Sequence, residues 1–168
     1  MSIINFSLAL LIISTLVVTF SSLLPQDSMA VATLIEIQSE KYYEDWTQKD
    51  NHGRAALVYF YAGWSPVCKV FTKEYGKVAK HFGHKDYQDV IMTTKMDGPN
   101  YPRLSRSLKL EKFPTVYLYS VDEVGKYEVY DGELEAEALI KWTEERIHKK
   151  MKTDGKNIPK RKKKRGIL

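Results

Sequence analysis

Two short segments about fifty residues apart constrain this chain more than anything else in it. The first is Phe60-Tyr61-Ala62-Gly63-Trp64-Ser65-Pro66-Val67-Cys68-Lys69, and the second is Lys112-Phe113-Pro114-Thr115-Val116-Tyr117-Leu118-Tyr119. The first segment closes an unbroken apolar and aromatic run over 55–62, which is the mark of a central strand buried on both faces. Ser65 followed by Pro66 is a helix start, with Ser at the N-cap and Pro at the first helical position. Val67, Val70, Phe71, Tyr75, Val78, Ala79 and Phe82 then recur at helical intervals. A buried strand therefore runs directly into a helix, and Trp64, Ser65 and Cys68 sit at the junction.

The rest of the middle of the chain alternates in the same way. Strands are predicted over 33–37, 55–62, 90–96, 115–121 and 127–130, and helices over 40–48, 67–82, 103–108 and 133–151. Asn51-His52-Gly53 is a turn, and Glu123-Val124-Gly125 is the bend of a terminal hairpin. The order β-α-β-α-β-α-β-β-α predicts an α/β domain with a mixed central sheet flanked by helices, spanning 32–150. An N-terminal segment (1–31) and a basic tail (151–168) lie outside it.

The N-terminal segment holds no charged residue between Ile3 and Leu24. A run of that length is close to the roughly 20 residues that cross a bilayer and long for the apolar part of a signal peptide. Ala30-Val31-Ala32 offers a small-x-small cleavage pattern, at some distance from the run. Two expectations follow: a retained single-pass anchor, or a cleaved signal that leaves the domain in the secretory lumen. The tail concentrates the charge. Residues 149–165 carry ten Lys or Arg and one Asp, net +9 against +5 for the whole chain, so the rest is net −4. The run Lys160–Arg165 fits an anionic lipid surface or a solvated, disordered tail. It has no interleaved aromatics for base stacking, so nucleic acid is not an expected partner.

One cysteine excludes an internal disulfide. His52, His81, His84 and His148 have no triad or metal-ligand spacing, and no glycine-rich phosphate loop occurs, so no cofactor or metal is expected. Cys68 has two readings: a small buried apolar residue near a helix start, or a single thiol working with an external thiol.

As a set, Phe60 to Trp64, Cys68-Lys69, Lys95-Met96-Asp97, Phe113-Pro114-Thr115 and Asp131-Gly132 resemble the thioredoxin-like superfamily, and the Phe-Tyr-Ala-x-Trp opening resembles disulfide isomerases. The resemblance implies a thioredoxin-like fold. It also implies an exposed attacking cysteine at the position of Ser65, a shielded second cysteine at Cys68 and a buried acid at the position of Tyr59. A dithiol cycle needs two sulfurs, and a serine hydroxyl is not ionised near neutral pH. With nucleophile and acid both replaced, the resemblance implies a face that binds polypeptides through exposed Trp64, Pro66, Phe113, a cis Pro114 and Thr115. Within the superfamily the chain resembles the thioredoxin-related transmembrane proteins, one branch of which has Ser-x-x-Cys. Lys149-Lys150-Met151 and Gly155 to Pro159 add to that likeness. The implied setting is the endoplasmic reticulum membrane, with weak or absent oxidoreductase activity. The competing expectation is a monothiol redox enzyme of disulfide isomerase type acting through Cys68.

Overall fold

The structure is a computed structural model that describes residues 34–49, 53–120 and 123–153. The apolar run, Ala30-Val31-Ala32, Asn51-His52, Val121 and the basic run Lys160–Arg165 lie outside the described residues. Among the described residues no helix is long and apolar enough to cross a membrane.

Five strands form one mixed sheet: β1 (Ile35–Glu36), β2 (Ala55–Tyr61), β3 (Ile91–Asp97), β4 (Thr115–Tyr119) and β5 (Tyr127–Val129). Their order across the sheet is β1-β3-β2-β4-β5. β1 and β2 each pair parallel with β3, while β4 runs antiparallel to both β2 and β5. Four helices flank the sheet: α1 (Glu40–Glu44), α2 (Pro66–Phe82), α3 (Pro102–Ser107) and α4 (Ala136–Thr153). A π-helical turn, Asp45–Lys49, prolongs α1. This is the expected mixed α/β architecture.

β2 explains why two layers of helix are needed. Its side chains alternate between faces, and every residue from Ala55 to Phe60 is buried. Ala55, Leu57 and Tyr59 pack with Phe71, Tyr75, Val78 and Phe82 of α2 and with Ala136, Leu139 and Ile147 of α4. Ala56, Val58 and Phe60 pack on the other side with Tyr43 of α1 and with Leu104 and Leu108 at α3. The Tyr75 hydroxyl, fully buried, donates to the Leu57 carbonyl at 2.8 Å, with the Thr94 carbonyl at 3.0 Å. Burying that side chain with its polar tip satisfied contributes roughly 2 to 3 kcal/mol.

Two elements and one helix face differ most from expectation. β1 is only two residues long, because it pairs with β3 alone at the sheet edge. α4 begins at Ala136 rather than 133. The Tyr130 hydroxyl donates to the Glu133 carbonyl at 2.6 Å and the Glu135 N–H turns back to the same carbonyl, so 133–135 form a bend. Leu134, expected on the helix, is 40% exposed in that bend. The first N–H of α4 is satisfied by Glu74 of α2, whose Oε2 accepts from Ala136 at 3.3 Å. Val67 and Val70, predicted at core-facing intervals of α2, are 52% and 68% exposed, since the arc that faces the sheet is filled by Cys68, Phe71, Tyr75, Val78, Ala79 and Phe82.

Candidate functional site

The site forms where β2 ends. Ala62 and Gly63 lead out of the strand, the Ser65 N–H donates to the Ala62 carbonyl at 3.0 Å, and α2 begins at Pro66. Ser65 is the N-cap: its backbone is extended and its side chain accepts from the Cys68 N–H at 3.4 Å. The resemblance implied an exposed group at this position, but Ser65 is 7% exposed. Capping turns the hydroxyl inward over the first helical turn, away from solvent.

Cys68 lies one turn into α2 and is 1% exposed. Its sulfur accepts from the Ala62 N–H at 3.5 Å, so it lies behind the strand end. Behind it stands Tyr59, where the resemblance implied an acid. The Tyr59 hydroxyl donates to the Cys68 carbonyl at 3.1 Å, and Thr72 donates to the same carbonyl at 2.7 Å. Burial pushes this phenol far above its ordinary ionisation range, with the neighbouring Cys68 adding to the shift. The group therefore stays protonated and anchors the helix start instead of exchanging protons. The Tyr59 ring packs on Phe71 and Tyr75 at 5.1 and 4.9 Å between centroids.

The outer half of the site is built differently. Trp64 is 74% exposed, and Pro66 is exposed beside it. Antiparallel pairing of Phe60 with Thr115 sets Pro114 opposite the end of β2, so the two sequence segments meet across one strand pair. The Phe113–Pro114 peptide is cis, as the resemblance implied. Thr115 is buried and donates its hydroxyl to the Lys112 carbonyl at 2.7 Å, which fixes the turn before β4. Phe113 packs on the core on the α1 and α3 side of the sheet and fits closely over Gly98: a Cβ at Gly98 would run into the Phe113 ring.

Asp97 and Lys95, quoted above only for the resemblance, and Glu36, not singled out in the sequence, edge the site. The end of β3 brings Asp97 next to Gly63, with Asp97 Oδ2 at 3.4 Å from where a Gly63 Cβ would lie. Asp97 Oδ1 is buried without a hydrogen-bond partner among the described residues. Burial first, then the Glu36 carboxylate, pushes the Asp97 carboxyl above its ordinary value. Glu36 is held by Lys95 at 2.9 Å and by the Tyr61 hydroxyl. The signal for this cluster is the β1–β3 register, Glu36 beside Lys95, which no sequence pattern announces.

Chemically, the chain holds one cysteine, so no intramolecular disulfide can form. Two of the described histidines are engaged elsewhere: His81 pairs with Glu144 at 2.8 Å and His84 with Asp86 at 3.1 Å. Among the described residues no group of three or more His, Cys, Asp or Glu is placed to hold a metal ion.

Comparison with known proteins gives a consistent picture. The thioredoxin family pattern matches residues 34–145. The chain is 32% identical over 93 residues to protein disulfide-isomerase A2 of Pongo abelii, covering 55% of this chain and 17% of that protein. It is 26% identical over 106 residues to thioredoxin of Borreliella burgdorferi, covering 63% of this chain and 83% of that one. The chain thus spans about one sixth of the length of the disulfide isomerase it matches. The solution structure of the first thioredoxin domain of mouse protein disulfide-isomerase A4 has the same fold, with a TM-score of 0.56 at 22% identity, covering 67% of this chain and 74% of that one. With the fold, the cis-proline turn and the strand-to-helix junction all in place, the chain belongs to the thioredoxin family.

Proposed function

We propose that this thioredoxin-family chain binds partner polypeptides through the face around Trp64 and Pro114 and has weak or no dithiol oxidoreductase activity. The observation that carries this is the contrast within one helical turn. Trp64 is 74% exposed, while the sulfur-bearing Cys68 is 1% exposed behind a serine that caps the helix. An exposed aromatic beside a cis-proline turn suits an extended peptide. A monothiol enzyme would need Cys68 reachable by an incoming disulfide, and its burial weighs against that role. Likeness to disulfide isomerases supports polypeptides as the class of ligand. The Ser-x-x-Cys motif and the 3–24 apolar run support placement in the transmembrane branch and in the endoplasmic reticulum membrane.

The test is binding of a fluorescein-labelled, extended, aromatic-containing peptide to the full chain, followed by anisotropy. Trp64→Ala should weaken binding about tenfold or more with an unchanged melting temperature, because the ring is exposed. Equal affinity in the variant contradicts the proposal. Carbonate extraction of microsomes bearing the full chain tests the membrane placement: release into the supernatant contradicts it.

A further inference from the structure

α2 carries a feature that neither the core nor the site uses. Lys69, Lys73, Lys77 and Lys80 are all exposed. At about 100° per residue they fall within roughly 80° of arc, opposite the buried row Phe71, Tyr75, Val78 and Phe82. Like charges at i,i+4 weaken a helix. Lys77 pairs with Glu74 at 2.6 Å. Lys69, Lys73 and Lys80 have no ion partner among the described residues. Gly76 lies on the same exposed arc. A Cβ there would meet nothing within 4 Å, so no contact inside the molecule requires a glycine that disfavours the helix. Exposed Val67 and Val70 border the row on the side of Trp64.

We propose that the solvent face of α2 continues the docking surface and receives an acidic stretch of the polypeptide held at Trp64 and Pro114. The proposal rests on the binding function above and names the partner's chemistry. The helix starts at the site itself, so a chain leaving Trp64 over Val67 and Val70 meets Lys69 first and Lys80 last. The row is about 16 Å long by helical rise, the length of about five extended residues. It is a single narrow line of charge, which fits a polypeptide better than a planar lipid surface. Gly76 lets a backbone approach α2 closely midway along it.

The test uses two labelled peptides that share an aromatic-containing half and end in a run of Glu or of Gln. Each is titrated into the full chain in detergent micelles at low and high salt. The Glu peptide should bind about tenfold tighter at low salt, and the preference should collapse in high salt. The triple variant Lys69→Gln, Lys73→Gln, Lys80→Gln should lose the preference, keep its affinity for the Gln peptide and keep or slightly raise its melting temperature. A chain with Lys160–Arg165 changed to Gln should retain the preference. Each of the following results overturns the proposal. The preference survives the triple variant; it disappears only with the tail; the triple variant differs only in binding phosphatidylserine vesicles; or it differs only in self-association. Equal, Trp64-dependent binding of both peptides defeats this proposal and leaves the binding function standing. Binding of neither peptide defeats both.

Discussion

The inner and outer halves of the strand-to-helix junction have been treated differently by the sequence. In the inner half the groups around Cys68 are engaged inside the molecule. Ser65 caps α2, Tyr59 and Thr72 hold the Cys68 carbonyl, and the Ala62 N–H reaches the Cys68 sulfur. In the outer half Trp64 stands 74% exposed and the cis Phe113–Pro114 turn is held in place by Gly98 and Thr115. A catalytic centre needs the inner half reachable and chemically poised. A binding surface needs only the outer half. On the proposed reading, the difference teaches that a recognition surface can stand over a layer whose groups serve packing and capping.

Five substitutions break or sharpen that contrast, from the largest expected effect to the smallest. Gly98→Val drives a side chain into the Phe113 ring and should destabilise the chain by about 2 to 3 kcal/mol, read as a lower urea midpoint together with loss of peptide binding. A Gly98→Val chain with an unchanged midpoint would mean that the turn is not held as described. Trp64→Ala should weaken peptide binding by about 1.5 to 2 kcal/mol and leave the midpoint alone, so the two outer-half changes separate stability from recognition. On the inner half, Tyr59→Phe removes the hydroxyl at the Cys68 carbonyl. It should cost about 1 kcal/mol of stability without changing peptide affinity in the same titration. Ser65→Ala removes the cap of α2 and should cost about 0.5 to 1 kcal/mol, again with peptide affinity intact. A loss of binding in either inner-half variant would join the halves that this account keeps apart.

Asp97→Asn gives the smallest effect and a pH signature. Burial and Glu36 raise the Asp97 carboxyl above its ordinary value of 3.8, so the fold disfavours its ionised form. The wild-type chain therefore loses stability as pH rises from the ordinary carboxyl range through the raised folded value. Asp97→Asn should be the more stable chain at pH 7, with the advantage shrinking as pH falls through the raised folded value toward the ordinary range. Thermal melts of both chains across that range check it, and an advantage that grows toward acid would have the wrong sign.

Most of the architecture was legible because its signals are local. The unbroken apolar run over 55–62 marked β2, and its double burial follows from neighbours on both faces. The Ser-Pro start and the spacing of Phe71, Tyr75, Val78 and Phe82 marked α2 to within one residue. Phe113-Pro114-Thr115 marked the turn before β4. What was not legible depends on tertiary contacts. Val67 and Val70 obey a helical period but fall outside the arc that meets the sheet. The inward turn of Ser65 depends on cap geometry. The first turn of the expected 133–151 helix is replaced by a bend because Tyr130 and Glu135 both bond the Glu133 carbonyl. The π-helical turn at Asp45–Lys49 is tied to the distant bend at Gly125, whose positive φ of 77° aims its N–H at the Thr47 carbonyl at 3.0 Å.

The most direct measurement is thiol–disulfide exchange on the full chain with a glutathionylated peptide, followed by mass spectrometry for a mixed disulfide at Cys68, with Cys68→Ala as control. The account predicts no adduct on the folded chain and rapid adduct formation once the chain is unfolded in denaturant, because the sulfur is 1% exposed behind Ser65 and Ala62. Fast exchange on the folded chain that depends on Cys68 would contradict the account and make this a monothiol enzyme.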